Sequence, residues 1–221
     1  MKKLKEFLTA NRHFFILLYY FVILFGYQLL NKYTVPKYYM YHPIDRYIPF
    51  VPIMVVPYVF WYILITASLI YLGFTCKKDF YRLALFMFGG MTLCYIIFIL
   101  FPNGQNLRPV ITETNIFTTI ITFIYTLDNP TNSAPSMHVI DTMAVYIALR
   151  KNEKLSKIKI LQTTSAIVTI LIIMSTVMIK QHSILDVMYG LLMSLVLYIM
   201  IYRIPYHKFK FAAKKEAQQQ V

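Results

Sequence analysis

Lys180-Gln181-His182-Ser183-Ile184-Leu185-Asp186 stands at the junction of two long apolar runs. A histidine and an aspartate four residues apart share one face of a helix. In that arrangement the carboxylate holds one imidazole nitrogen and leaves the other free to attack or to take a proton. Ionisable groups at the edges of such apolar segments are costly, and they mark function more often than packing. Two further polar islands lie upstream, Ala134-Pro135-Ser136-Met137-His138 and Asn106-Leu107-Arg108-Pro109. Two histidines, an aspartate, a serine and an arginine at these places suit convergence on a single phosphate group.

The chain around the islands is too apolar for a soluble domain: 58% of its 221 residues are hydrophobic and its mean hydropathy is +0.57. Apolar runs at 14–30, 53–74, 83–101, 160–179 and 184–204 are long enough to span a bilayer, and a shorter one at 137–149 makes six. The 12-residue stretch 116–127 is too short to span and reads as a re-entrant or interfacial helix before the fourth span. The expected fold is all-α: a polytopic six-transmembrane-helix bundle forming one domain over 1–205, with its motifs within 101–190 and a basic cytoplasmic tail at 206–221. The aromatic, proline-rich stretch 31–52 suits an interfacial loop. Gly89-Gly90 permits close helix approach.

The formal net charge of +13 invites a nucleic-acid partner. The lysines and arginines, however, fall in short clusters between apolar runs, as membrane topology places them. With the N-terminus in the cytoplasm, 17 of the 22 lie inside, and only Lys32, Lys37, Arg46, Arg108 and Lys180 lie outside. That bias sets all three islands at one extracytoplasmic face of a multi-pass cell-membrane protein with both termini inside. Cys76 and Cys94 have no metal or redox spacing, and no disulfide is expected. No small-residue cleavage site follows the first apolar run, which reads as a retained span.

Each polar residue has a functional and a plain reading. Pro135-Ser136 reads as a helix start. Ser136 is either a simple N-cap or a cap whose hydroxyl and neighbouring amides also grip a phosphoryl oxygen. His138 either protonates a leaving oxygen or is a buried, hydrogen-bonded histidine. Asp141, one turn on, can orient it. Arg108 offers a planar fork to phosphate, or faces lipid headgroups. Lys180 is a second phosphate ligand, or a snorkelling end-of-span lysine. For His182 and Asp186 the plain reading is a polar pair that caps the span.

The order Arg108-Pro109, then Pro135-Ser136-Met137-His138, then Ser175, His182 and Asp186 resembles the signature of the type 2 phosphatidic acid phosphatase superfamily. That signature is Lys, six residues and Arg-Pro; then Pro-Ser-Gly-His; then Ser-Arg, five residues, His, three residues and Asp. The resemblance covers roughly 101–190 and none of the first two spans. It implies a six-helix core, a site at the outer or lumenal face and no metal. It also implies His138 as general acid, His182 as nucleophile and Asp186 as its support. Three positions depart from the pattern: Phe101 in place of the first lysine, Met137 in place of glycine, and Thr176 in place of the arginine. Two phosphate-binding cations are therefore absent, and Lys180, about one helical turn beyond Thr176, can stand in for one. These departures resemble the branch containing inositol phosphorylceramide synthases and sphingomyelin synthases, where a lipid alcohol replaces water as acceptor.

The expected function is hydrolysis of a lipid phosphate or lipid diphosphate at the extracytoplasmic face, through a phosphohistidine and without a cofactor. His182 attacks, Asp186 supports it, His138 protonates the leaving oxygen, and Arg108, Ser136 and Lys180 hold the phosphate. The expected partners are a membrane lipid phosphate and the bilayer. Three alternatives stand beside it: transfer of a phosphoryl or phospho-headgroup to another lipid or glycan, a metal-dependent hydrolase, and a non-catalytic lipid-binding protein or transporter. Arg108 and Lys180 oppose a bound cation, and no internal repeat of the transporter kind is evident.

Overall fold

A computed structural model describes residues 6 and 9–204. The first lysine cluster and the basic tail expected at 206–221 lie outside the described residues.

In lipid, backbone polar groups must be satisfied within the segment, so long apolar runs become helices. The 3-10 turn Arg12–Leu18 runs into α1, Tyr19–Tyr33. The turn Pro52–Met54 opens α2, Val55–Thr75, whose Pro57 sits where a missing N–H costs no helical bond. After the extended residue Cys76 comes α3, Lys77–Leu100. Then follow α4, Ile116–Leu127, α5, Met137–Lys151, α6, Lys159–Met178, and α7, Ile184–Tyr198, which ends in the π-helical turn Ile199–Arg203. Five segments are long and apolar enough to cross a membrane: Arg12–Tyr33, Pro52–Thr75, Lys77–Leu100, Lys159–Met178 and Ile184–Arg203.

The fourth expected span is α5, and it differs in kind from those five. Its 15 residues, at about 1.5 Å each, fall short of the ~30 Å hydrocarbon thickness. It packs on α2, α3, α6 and α7, with Val139, Ile140, Thr142, Ala144, Val145, Ala148 and Leu149 all buried. A helix enclosed by protein on every side need not be long or uniformly apolar, which is how Asp141 is accommodated in its interior. α1 is the opposite case. It packs along α3, and Ile23 is its buried residue. The 12-residue α4 is capped by Asn115, whose side chain accepts the Phe117 and Thr118 N–H groups, and it rests on α2.

Two glycines set close approaches at the centre. A Cβ on Gly90 of α3 would meet Ile140 of α5 at 2.7 Å, whereas Gly89 faces open space, so one of the pair does the work expected of both. A Cβ on Gly190 of α7 would meet the Ser136 carbonyl and Val139 at 3.0 Å. That contact brings the starts of α5 and α7 side by side.

The loops at this end are tied together by pairing that the composition of 31–52 does not reveal. β1, Tyr38–Tyr39, pairs in parallel with β2, Asn103–Gly104, in the register Tyr38↔Asn103 and Tyr39↔Gly104. Gly104 in turn bridges Thr131. The three connections that carry or flank the polar islands thus form one cap.

Candidate active site

The turn from α6 into α7 builds the first half of the site. The Thr176 carbonyl, freed at the end of α6, accepts the N–H groups of both Gln181 and His182 at 3.0 Å. Between them the chain reverses through Lys180, whose φ of 56° lies in the left-handed region. α7 then starts on a capping box. Ser183 Oγ accepts the Leu185 N–H, and Asp186 Oδ2 accepts the Ser183 N–H at 3.0 Å. The same Asp186 oxygen lies 3.1 Å from His182 Nδ1. Chemistry and capping are therefore not rival readings of this pair, because one carboxylate does both. The His182 ring lines the cavity described below.

A second buried carboxylate supports that start. Asp45, from the turn Pro43–Arg46, accepts the Ser183 hydroxyl at 2.6 Å and the Ile184 N–H at 2.9 Å. Lys180 Nζ donates to the carbonyls of Asp45 and Ile48 at 2.9 and 2.6 Å. Its ammonium is thus committed to this loop and is not among the groups lining the cavity described below. Burial lowers the Lys180 pKa, and the Asp45 charge opposes the shift.

The second half is the start of α5. Asn103 organises it: its Oδ1 accepts the Ser133 and Ala134 N–H groups at 2.9 Å, and its Nδ2 donates to the Ala134 carbonyl at 2.8 Å. Ser136 is fully buried and acts as the cap, its Oγ accepting the Val139 N–H, while its own N–H donates to the Asp186 carbonyl. Its hydroxyl does not line the cavity. His138 packs against Tyr58 at 4.6 Å and Trp61 at 4.4 Å, and its Nε2 has no hydrogen-bond partner among the described residues. Asp141 does not orient it. Both Asp141 oxygens are buried in α5 without a hydrogen bond among the described residues.

Arg108 completes the convergence from behind. It lies over the Tyr125 ring at 4.3 Å and donates to the carbonyls of Tyr125 and Asp128 and to Gln181 Oε1, the last at 2.6 Å. Burial lowers its pKa, and the nearby Asp128 charge opposes the shift. With its oxygen turned to Arg108, Gln181 presents its amide N–H₂, for which no partner exists among the described residues. All three islands are thus brought together, but Arg108 reaches the site through Gln181 rather than directly.

These groups border a cavity of about 290 Å³ that contains His138, His182 and Gln181 and is otherwise walled by α1, α2, α3, α4, Met137 and the loop 128–133. Tyr20, Tyr27, Trp61, Tyr62, Tyr95 and Asp128 line it as well, Trp61 beside His138. Tyr27 donates its hydroxyl to Asp128. Beside them Asn129 donates two hydrogen bonds to Asn31, from its N–H to the side-chain oxygen and from its Nδ2 to the carbonyl. Of the three departures from the family pattern, Met137 lines the cavity, Phe101 is exposed, and Thr176 is buried with its hydroxyl on the Ile173 carbonyl. Among the described residues no three His, Cys, Asp or Glu side chains gather as a metal-ligand set.

Sequence reasoning passed over Asp45, Gln181, Asp128, Asn103, Tyr58 and Trp61. His42-Pro43-Ile44-Asp45 carries a cap pattern that marks Asp45, and Gln181 stood inside the stretch first quoted. Asp128 opens the turn-forming run Asp128-Asn129-Pro130-Thr131-Asn132-Ser133, which conceals its charge among turn residues.

A family model described as the PAP2 superfamily matches residues 82–210. Searches of curated proteins and of solved structures give no match.

Proposed function

Since the chain belongs to the PAP2 superfamily, we propose that it is an integral membrane phosphatase that hydrolyses a lipid phosphate or lipid diphosphate through a phosphohistidine. The observation that carries this reading is the placement of His182, held by Asp186 at 3.1 Å, across one cavity from His138 at 5.6 Å between ring centres. His182 Nε2 attacks phosphorus. Asp186 fixes the tautomer and offsets the positive charge that the ring acquires. His138 delivers a proton from its unpartnered Nε2 to the leaving lipid oxygen. The Tyr58 and Trp61 rings pack against it and fix its place. Water then attacks the phosphohistidine, with His138 receiving the proton. The Gln181 amide, fixed by Arg108, donates to a phosphoryl oxygen as charge develops. Ser136 and Lys180 act by holding the starts of α5 and α7.

In the same reading α5 counts as a sixth span, packed among α2, α3, α6 and α7, and α4 is a re-entrant or interfacial helix. The site faces away from the cytoplasm, as the positive-inside bias directs, and catalysis needs no metal. The cavity wall favours a second reading as well. It carries no lysine or arginine, which suits a singly charged phospho-headgroup passing to an alcohol acceptor better than a multiply charged phosphate.

The test is phosphate release by the purified protein over a panel of lipid phosphates and diphosphates, with and without excess EDTA and added acceptor alcohols. Turnover that survives EDTA and vanishes in His182→Ala supports the proposal. Activity lost to chelator and restored by zinc or magnesium overturns the metal-free mechanism, and lipid binding without turnover overturns the enzyme.

A further inference from the structure

The helices that carry the histidines come together again at the far end of the bundle. α5 and α7 both start at the cavity, and α3 ends beside it. Arg82 near the start of α3, Lys151 at the end of α5 and Arg203 after α7 therefore share the opposite end. That end is about 20 Å from the histidines, at ~1.5 Å for each residue from His138 to Lys151. Two tyrosine rings gather the three cations. Tyr198 and Tyr202 stack at 5.8 Å with 23° between their planes. Arg82 lies over the Tyr202 ring at 5.1 Å, and Lys151 and Arg203 both lie over the Tyr198 ring, at 5.4 and 5.8 Å. The π-helical turn makes this possible. In an α-helix Arg203 would stand about 140° round the axis from Tyr198. In the turn Ile199–Arg203 the Ile204 N–H donates to the Ile199 carbonyl at 3.1 Å, so five residues close one turn and Arg203 returns over the ring. Inserted π turns of this kind are frequent at functional sites.

The cations are held without being neutralised. The one ion pair they make among the described residues is Arg82 with Asp79 at 3.8 Å, and the other Asp79 oxygen accepts Asn152 Nδ2 at 2.8 Å. Lys151 and Arg203 are exposed and have no carboxylate partner among the described residues. A ring face orients a cation but leaves most of its N–H groups and charge for an anion. Three like charges drawn to two adjacent rings repel one another, and one anion with several acceptor oxygens relieves that repulsion at a single point. Beside them Leu195, Val196, Ile199 and Met200 are exposed, so the cluster stands where an apolar, lipid-facing surface ends. We infer that Arg82, Lys151 and Arg203 form a site for the phosphate of an anionic phospholipid, at the face opposite the histidines. The lipid is a bound ligand there and not the substrate, so the inference goes beyond the reaction proposed above and does not rest on it. By joining α3, α5 and α7 at one end, the headgroup steadies the helices whose other ends carry or brace His138 and His182.

Full-length protein purified in detergent is titrated with phosphatidylglycerol, with phosphatidylcholine and with inorganic phosphate, reading retained lipid by native mass spectrometry together with Tm. Phosphatidylglycerol should be retained and raise Tm, and the other two should do far less. Equal effects of phosphatidylglycerol and phosphatidylcholine overturn the site, and an equal effect of inorganic phosphate overturns the lipid as its occupant. Arg203→Gln should weaken phosphatidylglycerol binding about fivefold, the attraction of one basic side chain to an anionic lipid surface. Tyr198→Leu keeps every charge and removes the ring under Lys151 and Arg203, and it should weaken binding by a similar factor. Lys157, exposed at the same end but outside the cluster, is the control. Lys157→Gln should change binding by less than about twofold, as for a distant, screened charge. Equal losses in Lys157→Gln and Arg203→Gln mean a diffuse basic surface and overturn the site, and so does unchanged binding by Tyr198→Leu. The readout is binding, so its failure is distinct from failure of the phosphohistidine, whose test is turnover.

Discussion

The His138 ring stands 5.6 Å from the His182 ring, inclined to it by 65°. The two come from the starts of different helices, and neither is hydrogen-bonded to the other. Only His182 has a carboxylate partner, and only His138 packs against Tyr58 and Trp61. On the proposed mechanism this asymmetry divides the labour between a nucleophile and an acid.

His182→Ala should therefore abolish turnover of every substrate and remove any trapped phosphoenzyme. His138→Ala should cost about 10²–10⁴-fold with a lipid alkoxide leaving group and far less with p-nitrophenolate, which needs little protonation. Steady-state kinetics on the two substrates decide it. The opposite pattern would reverse the roles.

Asp186 Oδ2 holds His182 Nδ1 and the Ser183 N–H together. Asp186→Asn keeps the shape but loses the charge that offsets imidazolium. Turnover should fall by up to about 10⁴-fold, as for other histidine-orienting carboxylates, with a smaller change in KM. A change confined to KM would contradict the role given to it.

Lys180→Met removes two donors from the Asp45 and Ile48 carbonyls. Each carbonyl left unpaired costs about 1–3 kcal/mol, so the variant should melt earlier while KM moves little. A rise in KM with an unchanged Tm would instead put the ammonium on the substrate phosphate.

Burial raises the Asp128 pKa above the ordinary carboxylate value, while Tyr27, Arg108 and His182 pull it back. A carboxyl whose folded pKa is raised contributes stability that is complete below its unfolded value of about 4 and is lost as pH rises through the folded value. Asp128→Asn should accordingly gain Tm relative to the unmodified protein as pH rises from 4 toward neutrality. A pH-independent gap would contradict the direction.

Glu113 lies in the loop before α4 and Glu153 in the loop before α6, and both are exposed. A cysteine at Glu113 should react with an impermeant thiol reagent in intact cells, and one at Glu153 should not. The reverse labelling would overturn the orientation.

What the chain reveals by itself follows its local patterns. Ser183 and Asp186 are three apart and His182 precedes them, so one capping box and one dyad are legible together. The five long spans are legible because lipid leaves an apolar run no alternative to a helix. The pairing of Tyr38 with Asn103 is not legible, because it joins loops far apart in sequence through backbone groups that any residue carries. Nor is the direction of Lys180. Its reversal in a left-handed turn sends the side chain to the 45–48 loop, and spacing along a helix gives no sign of a chain that has already left it. Asp128 was overlooked because a turn cluster gives every polar residue a local excuse.

α1 is fastened at one end by Tyr27 to Asp128 and by Asn31 to Asn129, and near the other by His13 to the Gly73 carbonyl at 2.7 Å. Between these points it leans on α3, through Tyr95 to the Ile23 carbonyl and Tyr19 to Thr92, and makes no comparable packing with α2. Hydrocarbon gives two helices no hydrophobic reason to close such a seam. The seam borders the cavity, so on the proposed lipid-substrate reading acyl chains can remain among their neighbours in the bilayer while the headgroup moves sideways to the histidines, and the lipid alcohol can return the same way. Saturation then follows the mole fraction of substrate in the membrane rather than its bulk concentration. Diluting the substrate with inert lipid should slow the reaction, whereas diluting the vesicles with buffer should leave the rate per protein unchanged.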